Sequence, residues 1–503
     1  MPRSVKTATS KVQEFCEMAG GEEKRGKGEG QAAGNELKRV LDAALSRIKP
    51  SNAEKERLKK ITDFLVNEVN KEAEKREIPA KGILVGSVAR DTWLSGQRDV
   101  DVFVMLPEDF SDDALERVGM ELARGVAEHV AERYEERYAS HPYVHAWVRY
   151  ESVFPAEEWG DGGRRSDVYE VDIVPCFSVS SAAAMRSAVD RTPFHNEYVK
   201  RRIFGLEDEV RLLKQFLKGL EIYGAEHKTQ GFSGYLCELL IIRYGSFLAL
   251  LEAAAHWKFR TLIDIEQHRS YEIKGDEPLI VIDPVDPHRN VAAAVSVNSF
   301  AKFVDAARSF LENPSLGFFF PPEQPEMSKK EFLELIKKRG TDVIIVVFDV
   351  PDVVDDVLFP QLRKALASVS KLIERNGFRV FRRETSAEGG KAFFLFEMEV
   401  SELPPVKRHL GPPVTAEPHA QRFKKKHAGT QIYIENGRYV VEIPRKYVNV
   451  VDLLRRELRA CALGKHVAKA VARGYEVMRN EEIEFFEGLG KFLSKYFSSS
   501  VKC

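Results

Sequence analysis

Three carboxylates carry the strongest chemical signal in the chain. In GILVGSVARDTWLSGQRDVDVFVML, Asp99 and Asp101 stand two residues apart in a run that reads as a β-strand, so both side chains project from one face. Their neighbours Val100, Val102, Phe103, Val104 and Met105 are apolar. Two ionised carboxylates on one face of a largely buried strand repel each other and lose hydration, and a divalent cation is the economical way to hold them. Hard oxygen ligands suit magnesium, which keeps part of its water shell and shares substrate phosphates. Taken alone, a D-x-D pair on a strand reads more simply as two solvated residues of an exposed edge.

Gly86 and Ser87 end the preceding strand and open a short helix, an arrangement that can turn backbone N–H groups and a hydroxyl toward an anion, with Arg90 one turn on. Asp172 sits in the β-branched run VYEVDIVPCF, where a lone carboxylate is costly unless it joins a site from a neighbouring strand. On its own it could equally be a satisfied structural Asp. Three carboxylates from two strands can hold two metal ions. Such a pair binds a triphosphate, lowers the pKa of an attacking 3′-hydroxyl and stabilises both oxygens of an in-line displacement.

The elements that must position these residues follow from composition and periodicity. Residues 1–34 are rich in Gly, Lys, Glu and Ala and poor in large apolar side chains, which predicts a disordered extension. Leu37, Val40, Leu41, Ala44, Leu45 and Ile48 follow helical spacing, and a second helix is expected over about 53–75. GILVG and DVDVFVML read as strands, followed by a long helix through about Glu136 and strands near 143–150 and 168–174, together an α/β catalytic domain over 35–188. Residues 189–314 are mainly helical: Val210, Leu213, Phe216, Leu217 and Leu220 form one stripe, and YLCELLIIRYGSFLALLEAAA reads as a deeply buried helix. The proline-rich PSLGFFFPPEQPEMS predicts a turn-rich connection into a third region, 315–503. That region shows a strand at DVIIVVFDV, a helix stopped by Gly377, and strands at FRVFRRE and AFFLFEMEV. In QIYIENGRYVVEI a hairpin is expected, since Asn436 and Gly437 tolerate positive φ.

The length of 503 residues and 44% hydrophobic content allow two or three domains with substantial cores. A net charge of −1 gives no global pull toward a polyanion, so any RNA contact must come from local patches. Cys16, Cys176, Cys237, Cys461 and Cys503 show no metal or redox spacing, which fits a reducing compartment. The N-terminal residues lack the apolar run of a secretory signal, and no apolar stretch approaches ~20 residues. A soluble, cytoplasmic protein without membrane contact is expected.

The order Gly86-Ser87, Arg90, Asp99-x-Asp101 and a distant strand Asp172 resembles the nucleotidyltransferase superfamily that includes DNA polymerase β. The likeness sharpens over DRTPFH, EVRLLKQFLKGLEIYGAEHKTQGFSGYLCELL and VIDPVDPHRNVAAAVS, which resemble the archaeal-type class I CCA-adding enzymes, and it extends from about Glu36 through PSLGFF and DVVDDVLFPQL into the C-terminal region. The resemblance implies an α+β multidomain fold: a polymerase β-like α/β head, a helical neck, and an α+β C-terminal body and tail that holds tRNA. It implies template-independent addition of two CMP and one AMP, from CTP and ATP, to the 3′ end of tRNA, with diphosphate released. Two magnesium ions (Mg2+) would lie on Asp99, Asp101 and Asp172; the first of these positions is often Glu in the family. Nucleotide phosphates and sugar would be met by the matching Ser87, Arg90, His195, Lys214 and Tyr223, whose hydroxyls, fork and point charge suit a polyanion. Arg289, in HRNVA, resembles the position that reads the incoming base together with RNA backbone phosphates. A homodimer is implied as well.

Without the resemblance these residues read differently. Lys214 falls off the apolar stripe of its helix and reads as solvated, His195 after Pro193 as structural, and Tyr223 beside Gly224 as a helix cap. The loop EWGDGGRRSD, residues 158–167, is longer than usual for the family. In the C-terminal region Lys407, Arg408, Arg422, Lys424, Lys425 and Lys426 form a basic run around Phe423. Such a run is usually a solvated face, but phosphate contacts supply most of the affinity for a large folded RNA. KAFFLFEME lacks the glycine-aromatic signature of an RNA-recognition sheet, so shape and phosphate recognition without base stacking is expected there. A poly(A) or uridylyl polymerase on the same core is the rival enzyme, and a non-catalytic RNA-binding protein the rival from another class.

Overall fold

The computed structural model describes residues 27–138, 142–155, 167–181, 184–187, 189–269, 271–273 and 275–498. The chain divides into two units, one running through Pro322 and the other beginning at Glu323.

In the first unit, α1 (Lys27–Ile48) and α2 (Asn52–Lys75) precede the first strand. The stretch 27–34, expected to be disordered, is helical. Gly28, Gly30 and Gly34 are poor helix formers, but the helix continues into Leu37, Val40, Ala44 and Ile48, which are buried in a core cluster. Residues 1–26 of that expected extension lie outside the described residues. Ser51 starts α2 with a capping box: its hydroxyl accepts from the Glu54 N–H at 3.2 Å, and the Glu54 carboxylate accepts from the Ser51 N–H at 2.8 Å.

Next come β1 (Lys81–Val85), the one-turn α3 (Gly86–Ala89), β2 (Asp99–Pro107), α4 (Asp112–Val130), β3 (Arg133–Tyr138), β4 (Pro142–Arg149), the short α5 (Tyr150–Val153) and β5 (Val168–Ser178). They form a five-stranded sheet in the order β1-β2-β5-β4-β3, parallel only between β2 and β5. Strand alternation divides the two faces of β2. Val100, Val102, Val104 and Leu106 are fully buried in the cluster that contains Ile61, Leu65 and Val69 of α2 and Leu122 and Val126 of α4, each burial worth about 1.5–3 kcal/mol. Asp99 and Asp101 are on the opposite face, as the period of two requires. The helix expected through Glu136 stops at Val130, and RYEERY pairs as an edge strand instead. All six of its residues are exposed, so no buried stripe marks it as a strand, and charged side chains are what a protected edge carries.

The same unit continues with α6 (Arg191–Lys200), α7 (Glu207–Gly219), α8 (Gly234–Tyr244), α9 (Phe247–Ala254), the two-stranded parallel pair β6 (Thr261–Asp264) and β7 (Leu279–Ile282), and α10 (Val297–Glu312). The stretch expected as one buried helix is two, bent by 92°. Gly245 ends α8 at φ +78°, and the Ser246 hydroxyl starts α9 by accepting from the Ala249 N–H at 3.2 Å. No single described helix is long and apolar enough to cross a membrane; only this bent pair reaches that length and composition. Its Leu236, Leu239, Leu240, Phe247, Leu250 and Leu251 are buried in the helical core. Phe319, in the expected turn-rich connection, is fully buried against Phe216 and Phe310.

The second unit contains α11 (Lys329–Arg339), β8 (Asp342–Asp349), α12 (Asp355–Arg375), β9 (Arg379–Glu388), β10 (Lys391–Val400), β11 (Val406–Pro413), α13 (Glu417–Lys426), β12 (Ile432–Glu435), β13 (Arg438–Pro444), α14 (Val450–Glu457), α15 (Lys465–Arg473), β14 (Glu476–Arg479) and α16 (Leu489–Ser498). Its larger sheet, β14-β8-β10-β9, is antiparallel and covered on both faces. Ile344, Val346, Phe394 and Phe396 join one core with α12, α14 and α15. Val343, Ile345, Phe393 and Leu395 join another with α11 and α16. Fully buried aromatics cannot stack on bases. A smaller sheet, β11-β13-β12, turns at Asn436 and Gly437, whose φ values of +46° and +73° are those the hairpin needs.

Candidate active site

Strand register assembles the carboxylates. On the parallel pair β2 and β5, Asp101 is directly opposite Asp172, and Asp99 opposite Glu170. Val85, the last residue of β1, pairs with Asp101 from the other side. Burial pushes the Asp101 carboxyl up to about 6, with Asp172 and Asp99 adding to the shift and Arg90 opposing it. Burial and then Glu170 also raise Asp99, against the Lys218 ammonium. Their acidic neighbours thus destabilise the charged forms of Asp101 and Asp99.

Behind them stands His145 of β4, registered against Asp172 and almost wholly buried. Its Nδ1 is 2.6 Å from Asp172 Oδ1, and its Nε2 is 3.6 Å from Glu170. Trp147 meets the imidazole edge-on with ring centroids 4.4 Å apart.

Gly86 lies close against this floor. Its φ is +75°, and a Cβ there would stand 2.0 Å from Asp101 Oδ2. Only glycine satisfies both demands. Ser87 follows at once, and its carbonyl accepts from the Arg90 and Thr92 N–H groups at 3.3 and 2.9 Å. Arg90 does not extend into solvent. Its Nε donates to Glu238 at 3.0 Å and its Nη1 to Asn196 at 3.2 Å. Glu238, fully buried on α8, also accepts from the Thr92 hydroxyl.

Lys214 of α7 is buried rather than solvated, and its Nζ donates to the Thr92 carbonyl at 2.9 Å and approaches the Thr92 hydroxyl at 3.3 Å. Burial lowers its pKa while Glu238 opposes the shift. Tyr223 converges on the same point. A Cβ on Gly234 would meet the Tyr223 hydroxyl at 3.2 Å and Lys214 Nζ at 3.7 Å. Lys218, one turn along from Lys214, lies 5.4 Å from the Tyr223 ring centre.

A second group forms around Asp283, just after β7. Its Oδ2 is 2.8 Å from His195 Nε2 and accepts from Arg289 Nη1 at 2.8 Å, and its Oδ1 accepts from the Tyr235 hydroxyl at 3.2 Å.

The donor set suits a divalent cation in kind: registered carboxylates, one of them pushed toward neutrality by burial and the others, beneath a backbone with no room for a side chain. Among the described residues, no three or more His, Cys, Asp or Glu side chains have closed to metal-ligating geometry as they stand.

Known families match the chain in three consecutive stretches. Residues 66–195 match the nucleotidyltransferase domain, 208–320 the tRNA nucleotidyltransferase second domain, and 339–480 the CCA-adding enzyme C-terminal domain. A CCA-adding enzyme of Methanosarcina barkeri is 46% identical, over 88% of this chain and 94% of its own. That of Methanosarcina mazei is also 46% identical with the same coverage, and that of Methanoregula boonei is 39% identical over 90% of this chain and 93% of its own. The chain belongs to the CCA-adding enzymes.

Within that family's frame, the structure brings Asp99, Asp101 and Asp172 onto one face, places Ser87 and Arg90 at its edge, and gathers Lys214 with Tyr223 and His195 with Arg289 in two adjoining clusters. Sequence reasoning missed Glu170, His145, Glu238 and Asp283. Glu170 shares the strand parity of Asp172 and was legible from it. Glu238 stands out as the one charge inside the apolar YLCELLII. His145 needs the β4–β5 register, which sequence does not supply.

The basic residues belong to the second unit. Lys407 and Arg408 are on β11, and Arg422, Lys424, Lys425 and Lys426 on α13, all exposed. Arg408 is ion-paired with Glu435, and the Lys424 ammonium lies 4.8 Å from the Tyr439 ring centre. Phe423 is buried against His409 and His427, so it is core rather than a base-stacking platform. The loop 158–167 falls outside the described residues but for Asp167, which pairs with Arg57 at 3.1 Å and with Arg98.

Proposed function

We propose that this protein completes the 3′ end of tRNA by adding two CMP and then one AMP, from CTP and ATP, with no template and with release of diphosphate. The observation that carries this reading is Asp101 facing Asp172 in register beneath Gly86, in a chain of the CCA-adding family.

Asp99, Asp101 and Asp172 would hold two magnesium ions, which supply the positive charge that binds a triphosphate and favours ionisation of the tRNA 3′-hydroxyl. His145 holds Asp172 through Nδ1 and fixes the direction of its carboxylate. Gly86 keeps the space above Asp101 open, and Ser87 beside it offers a hydroxyl to phosphate. Glu238 and Asn196 lock the Arg90 fork so that its charge is pre-oriented next to Asp101. Lys214 and Tyr223 meet at Gly234 and present an ammonium and a phenol to the nucleotide. His195 and Arg289 complete the nucleotide site, with Arg289 reading the base.

Lys407, Arg408, Arg422, Lys424, Lys425 and Lys426 hold tRNA by its phosphates. The assembly is a homodimer working in the cytoplasm, and equilibrium sedimentation tests the dimer. The activity is tested by incorporation from each triphosphate separately into a tRNA that lacks its terminal nucleotides. CTP alone should add two residues and ATP alone none. Repeated addition of A or U would replace this reading with a polymerase.

A further inference from the structure

Two of the proposed nucleotide ligands meet on a residue that the transfer chemistry does not use. The Asp283 side chain is completely buried. Its Oδ2 takes both His195 Nε2 and Arg289 Nη1 at 2.8 Å. Its Oδ1 takes the Tyr235 hydroxyl at 3.2 Å and the Val285 N–H at 3.0 Å. Burial alone would push this carboxyl up, but the His195, Val285 and Arg289 donors outweigh burial and hold it at about 2. A carboxylate can only accept, so His195 Nε2 carries the proton of that bond. The imidazole is also stacked on Tyr235, with centroids 4.1 Å apart.

A buried charge is costly unless every lone pair is used, and here each oxygen accepts from a named donor. The consequence falls on those donors. Arg289 is about a third exposed, at 36%, and one N–H of its fork is anchored on the buried carboxylate. His195 is anchored on the same oxygen and cannot rotate independently of it.

We propose that Asp283 is the positioning residue for nucleotide choice. It sets the Arg289 guanidinium and the His195 ring in one rigid frame against the base and phosphates of the incoming CTP or ATP. This inference rests on the reading of Arg289 and His195 as nucleotide ligands, and on no property of the metal site. A bidentate fork discriminates bases through the direction of its N–H groups, so freeing its anchor should loosen choice before it slows chemistry.

The test uses the full chain with magnesium and tRNA lacking its terminal nucleotides. Single-nucleotide incorporation from CTP, ATP, UTP and GTP is measured for the parent, Asp283→Asn, Arg289→Ala, the double variant and Tyr235→Phe. Asp283→Asn keeps the volume but replaces one acceptor by a donor. It should raise KM for CTP and ATP and lower discrimination against UTP and GTP, each on the order of tenfold, with kcat little changed. In the Arg289→Ala background it should have little further effect on discrimination, because Asp283 acts through Arg289. Tyr235→Phe, which removes a single bond to the carboxylate, should shift discrimination in the same direction by less, and it decides the matter if Asp283→Asn does not fold. A lower kcat for all four nucleotides with discrimination unchanged, or full multiplication of the two effects in the double variant, would overturn the role of Asp283. Unchanged discrimination in Arg289→Ala alone would instead overturn the reading of the nucleotide site, and the inference with it.

Discussion

Asp101 and Asp172 stand directly opposite each other on the parallel strands β2 and β5, so two carboxylates far apart in sequence share one face of the sheet. Parallel pairing in register places side chains of equal parity on the same side, and Asp99 and Glu170 follow by the same rule. The cost of this arrangement is visible in Asp101, whose carboxyl is pushed up to about 6 by burial and its acidic neighbours.

That cost predicts a pH dependence. The folded Asp101 carboxyl titrates at about 6 against an ordinary 3.8, so between those values the folded state keeps a proton that the unfolded state has released. Stability therefore falls as pH rises from about 4 to about 6, and the deficit persists above. In the metal-free protein, Asp101→Asn should be more stable than the parent at pH 7.5, by roughly 1–3 kcal/mol, and the gap should close toward pH 4. Urea unfolding in chelator at both pH values measures it; an equal gap at both would show that ionisation of Asp101 is not its origin. Nucleotide transfer by this variant should be lost.

Gly86→Ala should inactivate the enzyme through its backbone. A Cβ would overlap Asp101 Oδ2 at 2.0 Å, and φ of +75° adds strain of roughly 1–2 kcal/mol. We expect loss of transfer of at least a hundredfold with a smaller loss of stability, measured by single-turnover incorporation and thermal unfolding. Near-parental turnover would show that Asp101 does not need its present place.

His145→Phe removes the Nδ1 contact to Asp172 while keeping a buried ring. Partners that orient metal-binding carboxylates are typically worth about 10–100-fold in activity or metal affinity, so turnover should fall by that order and more magnesium should be needed for half-maximal rate. His145→Asn, which returns an N–H near the same position, should recover part of the loss. A uniform loss in both variants would make His145 a packing residue only.

Much of this was legible in the sequence, for identifiable reasons. Asp99, Asp101 and Asp172 lie in apolar runs that read locally as strands, and Asn436-Gly437 carries its own turn geometry, whereas the shared role of the three carboxylates came from the family resemblance. Local rules failed where tertiary context decides. The edge strand RYEERY is exposed on both faces and leaves no alternation to read, and the Gly245-Ser246 break reads in sequence as a tolerated glycine inside an apolar helix. Lys214 reads as solvated on its own helix because the surface that buries it, around Thr92, comes from a distant segment. His145, Glu238 and Asp283 act through partners that only the folded chain supplies.

The basic surface should matter for tRNA and not for chemistry. Replacing Lys424, Lys425 and Lys426 by Ala should weaken tRNA binding and flatten its salt dependence by up to about three phosphate contacts' worth. Turnover at saturating tRNA should change little, since uniform binding energy acts on KM. A short acceptor-stem minihelix should be extended equally well by variant and parent. Equal losses on both substrates would show that these lysines support folding or the active site.

The Asp99, Asp101 and Asp172 site is proposed above all to build a defined CCA end on tRNA. The most direct test is to sequence the 3′ ends made from tRNAs lacking all, two or one of the terminal nucleotides, with all four triphosphates present, by the parent and by Asp101→Asn. The parent should restore CCA on every substrate and stop there, and Asp101→Asn should leave every end unextended. Homopolymeric A or U tails, ends that continue past the final A, or CCA ends made at parental rate by Asp101→Asn would contradict it.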